Sequence, residues 1–336
     1  MDNVIIGFQR QNLIALIDTM FALYAKEYNY NWYRFNLDDV DFDKEKILGH
    51  VLKNGNWIQK ECPFPTVINN GLYFKRHPNG YKLYYDYNIP ISYAQNIGGK
   101  FKLFDNLNKI LPLKKYIPYY KKLNNVDQII DYLKENKKCI IKPNFGSFGK
   151  SVYCIELINN YFRINNRLYS DLNKFITDND FNIKSFLLQQ YIDSKIINNI
   201  PIDIRCHLAR SYNKEWKLID NLVRVNPFSQ VHSNLHKGGS KFQLKRFLDY
   251  TCNENIKKNI VYQLHDIINI LPNQLQKYYK YDFNVLGLDI GIDFSNNGKL
   301  YIFELNSFPG TTFVEHKLAK YAIQYDYWLG LQHSSI

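Results

Sequence analysis

No stretch of the sequence reaches eighteen consecutive apolar residues, so no membrane-spanning helix is expected. The N-terminal "VIIGFQRQNLIALIDTMFAL" is interrupted by Gln9, Arg10, Gln11, Asn12 and Asp18 and has no basic leader, which argues against a signal peptide. Cysteine is scarce. Cys62, Cys139, Cys154, Cys206 and Cys252 are odd in number and nowhere form C-x-x-C, so a disulfide framework is not indicated and reduced thiols in a cytoplasmic protein are expected. The chain also lacks an internal repeat, a low-complexity tail, and any zinc-finger or RNA-recognition pattern.

What is present is the composition of a globular chain. Its 336 residues suggest roughly two domains with ample core, and 46% hydrophobic with 22% charged residues is ordinary for such a fold. The net charge of +12 raises the question of nucleic acid. Lys, Asn, Ile, Tyr and Phe are abundant together, however, as AT-rich codon usage produces without a binding requirement. The densest basic and aromatic segment, "LKKYIPYYKKLNN" (Leu113–Asn125), reads as a solvated linker. No nucleic-acid partner is expected, and the charge suits ATP and acidic substrates.

Strand and helix patterns alternate at the N-terminus. "VIIGF" reads as a buried strand, an apolar helix runs on to about Lys26, and "YNWYRFN" and "PTVINN" read as further strands. Residues 1–95 are therefore expected to form a small α/β domain, although they hold no glycine fingerprint. Helical spacing returns at Phe101, Phe104, Leu107 and Leu111, and along Ile256, Ile260, Leu264, Ile267 and Leu271. "FLLQQYID" and "DIRCHLAR" read as strands.

"CIIKPNFGSFGKSVYCIEL" (Cys139–Leu157) contains Gly-Lys-Ser, which suggests a P-loop. The P-loop pattern requires a glycine where Asn144 stands, and a helix where the alternating "VYCIEL" follows. The segment is expected instead to be a strand–loop–strand flap, with Lys142 on the strand before it.

"LGLDIGIDFSNNGKLYIFELNSFPG" (Leu286–Gly310) carries the strongest pattern. Strand alternation sets Leu286, Leu288, Ile290 and Ile292 on one face and Gly287, Asp289, Gly291 and Asp293 on the other. Asn297-Gly298 is a hairpin signal. A two-residue turn there puts Asp289 opposite Asn306, and a four-residue turn puts it opposite Glu304; either gathers the three side chains within roughly 5–8 Å. Facing acids repel unless a cation lies between them, and two carboxylates with an amide oxygen are hard ligands suited to Mg²⁺. Asp289, Glu304 and Asn306 are the expected metal ligands, with Gly287 and Gly291 expected to leave space for a ligand beside them.

In order along residues 100–315, these motifs resemble the ATP-grasp carboxylate–amine ligases. "NFGSFGKS" with Lys142 is similar to their flap and strand lysine, "LLQQYID" to their adenine hinge, and "FELNSFPG" to their closing metal motif. "DIRC" and "HSNLHKGG" resemble the glutamate ligases that modify ribosomal proteins, and the wider layout resembles the endospore-coat-associated ATP-grasp proteins. The resemblance implies an α/β fold with α+β lobes: a Rossmann-like pre-ATP-grasp domain over 1–95, a small lobe with the flap over 96–193, and a C-terminal lobe with the metal site over 194–336.

It also implies roles. Backbone groups of Gln190 and Tyr191 would hold the adenine, and Asp203 the ribose. Lys142 and a lysine of the helix near Phe101, taken as Lys102 over Lys100 and Lys109, would hold the phosphates. Gly146, Ser147 and Gly149 would cap them from the flap. His232, Ser233 and Asn234 would also contact the nucleotide, His232 standing where the glutamate ligases have arginine. Arg205 and Arg224 would stabilise the transferring phosphoryl group. One or two Mg²⁺ ions, or Mn²⁺, would bridge phosphates and carboxylates. The expected activity is an ADP-forming ligase that joins an amino-acid or peptide carboxylate to an amine. The alternatives are a kinase-like relative or a coat-associated binding protein with an idle site.

Overall fold

The structure is a computed structural model that describes residues 4–71, 74–92, 97–146, 151–165, 167–196, 199–226 and 239–334. Three sheets organise the chain. The first contains β1 (Ile5–Gln9), β2 (Asn31–Phe35), β3 (Val40–Asp41), β4 (Lys46–Lys53), β5 (Asn56–Pro63), β6 (Val67–Asn69) and β7 (Ile91–Ser92). Its order is β3-β4-β2-β1-β6-β7, with β5 paired to β4. β1 runs parallel to both β2 and β6, and helix α1 (Leu16–Glu27) makes the crossover from β1 to β2. Helix α2 (Pro78–Tyr85) precedes β7.

The second sheet is antiparallel: β8 (Tyr120–Lys122), β9 (Lys138–Pro143), β10 (Tyr153–Ile158), β11 (Tyr161–Ile164), β12 (Arg167–Tyr169) and β13 (Phe186–Gln190), in the order β12-β11-β10-β9-β13-β8. β9 and β10 pair as a hairpin, Ile141 opposite Tyr153, so the glycine-rich segment joins two strands. Helices α4 (Asp127–Asn136) and α5 (Leu172–Asp178) cover this sheet.

The third sheet holds β14 (Lys195–Ile196), β15 (Ile200–Arg210), β16 (Trp216–Val225), β17 (Ser240–Gln243), β18 (Val285–Asp293) and β19 (Lys299–Asn306), in the order β17-β16-β15-β18-β19 with β14 on β15. One face packs on α3 (Lys100–Asn108), α6 (Leu244–Thr251) and α7 (Glu254–Gln276) through Ile204, Cys206, Leu208, Leu288 and Ile290. The alternation of these strands leaves Asp203, Arg205, Arg224 and Asp289 on the opposite face.

The β18–β19 hairpin differs from both expected registers. Asp293 pairs with Lys299, so the connection spans five residues. Phe294–Asn296 form a 3-10 turn, and Asn297 and Gly298 have φ of 49° and 69°. α7 fixes this turn. Gln263 Nε2 donates to the Gly298 carbonyl at 3.1 Å, and the Leu300 amide donates to Gln263 Oε1 at 3.1 Å. A bulge beside Ile290 then shifts the ladder by one residue, which restores Asp289 opposite Glu304.

The C-terminal helix α8 (Glu315–Ser334) returns to the first sheet. Leu318, Ala319, Ala322 and Ile323 share a core with Ile6, Phe8 and Phe21. The two ends of the chain therefore close one hydrophobic unit. Within it, the Asn69 amide donates to fully buried Asp326 at 2.8 Å. Burial pushes the Asp326 carboxyl up to about 7, against the opposing pull of Asn69 and Arg10. A raised folded-state pKa stabilises at low pH, and this contribution is lost as pH rises from the unfolded value through about 7. Asp326→Asn keeps an acceptor for Asn69 and removes the ionisation. It should raise stability at pH 8 by about 2–4 kcal/mol and leave it unchanged near pH 4, at about 1.4 kcal/mol per pKa unit. Denaturant midpoints of both proteins at the two pH values test this, and an equal gap at both would refute it.

Candidate active site

A cavity of about 850 Å³ lies where the three sheets meet. Lys142 from β9 and Gln189 and Gln190 from β13 line it on one side. The polar face of the third sheet lines it on another, with Asp203, Arg205, Arg224, Asp289, Glu304 and Asn306.

Strand pairing builds the charged face. Asp203 lies opposite Arg224, and Arg205 opposite Asp289. Arg224 Nε and Nη2 donate to the two Asp203 oxygens at 2.6 and 2.5 Å, and Nη2 also reaches Asp289 Oδ1 at 2.9 Å. Arg205 takes Asp289 in a second fork, with Nη2 donating to Oδ2 at 2.9 Å. Four charges thus alternate across three strands. Burial alone would raise the Asp289 carboxyl, yet Arg205 and Arg224 hold it below the usual carboxylate range. Burial would likewise lower the Arg224 guanidinium, which Asp203 and Asp289 hold above its ordinary value. The partner of Asp203 is thus Arg224, across the ladder, rather than Arg205 two residues along its own strand.

Lys142 is buried, with its ammonium donating to the Phe303 carbonyl at 3.0 Å. Burial lowers its pKa to about 8, while Glu304 pulls the other way. Lys100 Nζ lies 3.2 Å from Glu304 Oε1 and donates to the Gly146 carbonyl at 2.9 Å. The first turn of α3 is docked on the base of the flap. The Phe101 amide donates to Asn144 Oδ1 and the Lys100 amide to the Asn144 carbonyl, both at 2.9 Å. Gly99 allows this approach, because a Cβ there would lie 2.4 Å from the Asn144 side chain. Gly146 itself has φ of +134°, a conformation that favours glycine.

Several expectations are corrected by this geometry. Lys102 does not line the cavity; it is exposed, with its ammonium over the Tyr279 ring. Two residues along a helix turn about 200°, so Lys100 lines the cavity where Lys102 does not. Gln190 and Tyr191, expected at the adenine hinge, both line the cavity, and the main-chain amide of Gln190 donates to the Tyr119 carbonyl at 2.8 Å. Gly287 and Gly291 leave no open space. A Cβ on Gly291 would lie 2.0 Å from the Phe303 ring, and one on Gly287 2.6 Å from Pro309. These glycines accommodate the bulged strand and the turn after it. Ser147, Gly149, His232, Ser233 and Asn234 lie outside the described residues.

Sequence reasoning weighed Lys100 only as an alternative to Lys102, and missed Asn144, Gln189 and His207. His207 shares the face of Asp203 and Arg205 by strand alternation, the one signal that pointed to it. Its Nε2 faces the Gly310 carbonyl at 3.0 Å, and burial followed by the nearby Arg205 lowers its pKa to about 4. Gln189 is buried at the cavity wall with its Nε2 lacking a partner among the described residues.

Of the facing acids, Asp289 is paired with Arg205 and Arg224, and Glu304 with Lys100. Among the described residues no group of three or more His, Cys, Asp or Glu is arranged to hold a metal. Asp289, Glu304 and Asn306 still present hard oxygen donors to one cavity, which fits Mg²⁺ that completes its shell with substrate phosphates.

Two antiparallel sheets backed by helices, with a flap hairpin, the buried Lys142 and facing carboxylates around one cavity, define an ATP-grasp protein. The chain belongs to the YheC/D-like ATP-grasp family, whose model matches residues 89–329. It is 24% identical over 306 residues to the endospore coat-associated protein YheC of Bacillus subtilis (strain 168), covering 85% of this chain and 82% of that one. It is 22% identical over 300 residues to the endospore coat-associated protein YheD of the same organism, covering 84% of this chain and 65% of the relative. The family implies ATP binding.

The lysine geometry has a direct test. Lys100→Met should weaken Mg·ATP binding by about tenfold or more, the scale of one charge-assisted contact, whereas Lys102→Met should leave it within about twofold. Equilibrium titration with a fluorescent ATP analogue reads both, and the reverse ranking would overturn the assignment of Lys100.

Proposed function

We propose that the protein is an ATP-dependent, ADP-forming carboxylate–amine ligase acting on an amino acid or short peptide. The supporting observation is the grouping of Lys100, Lys142, Arg205, Arg224, Asp289 and Glu304 around one cavity. Cations there would receive a polyphosphate, and the acids would neutralise the arginines until it arrives.

In the first step a substrate carboxylate oxygen attacks the γ-phosphorus, and the β–γ bridging P–O bond breaks to release ADP. An amine nitrogen then attacks the acyl carbon of the acylphosphate. The C–O bond to phosphate breaks, inorganic phosphate leaves, and the nitrogen loses a proton to give the amide. Lys142 and Lys100 hold the α- and β-phosphates in this reading, and Asp203 takes the ribose. Arg205 and Arg224, each a planar fork, stabilise the equatorial oxygens of the moving phosphoryl group. Mg²⁺, held by Asp289, Glu304 and Asn306, would supply charge neutralisation across the phosphates.

The relatives are described as endospore coat-associated, which favours one second reading: a coat-assembly protein that binds nucleotide without turnover. Its opposition is physical. Cations that fit a moving phosphoryl group and hard-oxygen acids that fit Mg²⁺ line one cavity together, which is the set phosphoryl transfer requires.

Hydroxylamine trapping separates these readings. With Mg·ATP, hydroxylamine and pooled amino acids and short peptides, a ligase yields ADP and a hydroxamate visible by mass spectrometry. Glu304→Ala should reduce both by about a hundredfold or more while retaining the native circular dichroism spectrum. A stable phosphorylated product in place of the hydroxamate would indicate a kinase. ATP-dependent thermal stabilisation with no turnover would support the binding-only reading.

A further inference from the structure

The cavity extends beyond the phosphate region to the C-terminal ends of β1 and β6, where it is lined by Arg10, Asn69 and Asn70. β1 and β6 are parallel, with Phe8 opposite Asn69, and β2 lies on the other side of β1. The chain thus leaves β1 in one direction and arrives at β6 on the other side. That is a topological switch point, where parallel sheets open a crevice at their carboxyl ends.

Of two polar groups at this crevice, one lacks an ion pair and the other a hydrogen-bond partner for its side-chain oxygen among the described residues. The Arg10 guanidinium donates to the carbonyl of Gln9 at 2.6 Å, and to the carbonyl and side-chain oxygen of Asn69 at 3.2 and 2.9 Å. All three acceptors are neutral. Two acids bear on its charge without pairing with it: Asp18 is committed to Arg34 at 2.8 Å and to the Ala15 amide at 2.7 Å, and Asp326 accepts from Asn69, which stands between it and Arg10. Among the described residues Arg10 forms no ion pair, whereas the Arg205 and Arg224 guanidinia each hold an aspartate. Burial lowers the Arg10 pKa to about 10, while Asp18 and Asp326 pull the other way from beyond pairing distance. Asn70 is buried beside it. Its Nδ2 donates to the Gly71 carbonyl at 3.1 Å, and its Oδ1 has no partner among the described residues.

Resting on the ligase reading above, we propose that this crevice is a subsite for an α-amino-acid terminus. Arg10 receives a carboxylate that is not consumed, and the Asn70 amide oxygen accepts from the N–H on the neighbouring α-carbon. A carboxylate and an N–H one carbon apart match a guanidinium and an amide oxygen carried just past the ends of two paired strands, β1 and β6, on one cavity wall. The ligand is a free amino acid or the C-terminal residue of a short peptide, since both present this pair.

The probes are the twenty standard amino acids, their primary α-amides, their N-acetyl forms and the matching glycyl dipeptides. Each is titrated by calorimetry and thermal shift, with and without Mg·AMP-PNP. At least one free acid or dipeptide should bind, and its α-amide should bind about ten- to a hundredfold more weakly, as loss of a charge-assisted pair requires. Binding by the free acid or by the dipeptide identifies the source. Arg10→Gln should weaken the carboxylate ligand by the same factor and leave AMP-PNP affinity within about twofold. Arg10→Lys, which keeps the charge and guards against a misfolded Gln variant, should retain part of the binding. Asn70→Ala should penalise the free-amine form more than the N-acetyl form. Equal binding of acids and amides, unchanged binding by Arg10→Gln in a folded protein, or no binding by any probe would each overturn the subsite. Failure of AMP-PNP alone to bind would strike the nucleotide reading and leave the carboxylate titrations decisive.

Discussion

Two aspartates and two arginines, alternating across β16, β15 and β18, are the constraint on which the rest of the molecule depends. Each charge alone would cost several kcal/mol to bury. Together they sum to zero, and each guanidinium forks onto a carboxylate directly opposite it in the ladder. The same strands carry Ile204, Cys206, Leu208 and Val223 on the other face, all fully buried. A slip of one residue would send the charges into that core and the core into the cavity. Hydrophobic and ionic registers therefore enforce one another, and the rigid face they produce is the one that a polyphosphate would meet.

The arrangement of Glu304 depends on a second constraint. A regular hairpin with the five-residue turn seen here would leave Glu304 out of line with Asp289. The bulge admits Phe303 as the extra residue, and the ring of Phe303 occupies the space that a side chain at Gly291 would fill. Lys142 then donates to the carbonyl of Phe303. One irregularity in β19 thus aligns the two acids and anchors the buried lysine of the neighbouring sheet.

Which of these features could be read from the sequence follows from their range. Strand alternation alone assigned the faces of "DIRCHLAR" and "LGLDIGID" and identified the flap as a strand–loop–strand unit. It also brought Asp289 and Glu304 together in one of two registers. The turn length was misjudged because α7, distant in sequence, sets it through Gln263 and Ile260. The choice between Lys100 and Lys102 depended on the rotation of α3, which is fixed by Asn144 on the flap. In the sequence Asn144 is marked only as the residue that breaks a P-loop pattern. Its contribution is long-range and leaves no local trace. Gly291 was legible as a needed absence of side chain, but its cause, a ring from the next strand, was not.

The C-terminal helix illustrates why the ends of a chain can matter to a central cavity. Asp326 on α8 accepts from Asn69, and Asn69 in turn accepts from Arg10 through both its carbonyl and its side chain. The Asn69 side chain is thereby oriented, oxygen toward the arginine and nitrogen toward the acid. Without an acceptor at position 326 the amide would have less reason to keep that orientation, and a flipped amide would turn a donor toward a guanidinium that can only donate. The helix therefore does more than cover the first sheet: it determines which end of Asn69 the cavity wall presents to Arg10.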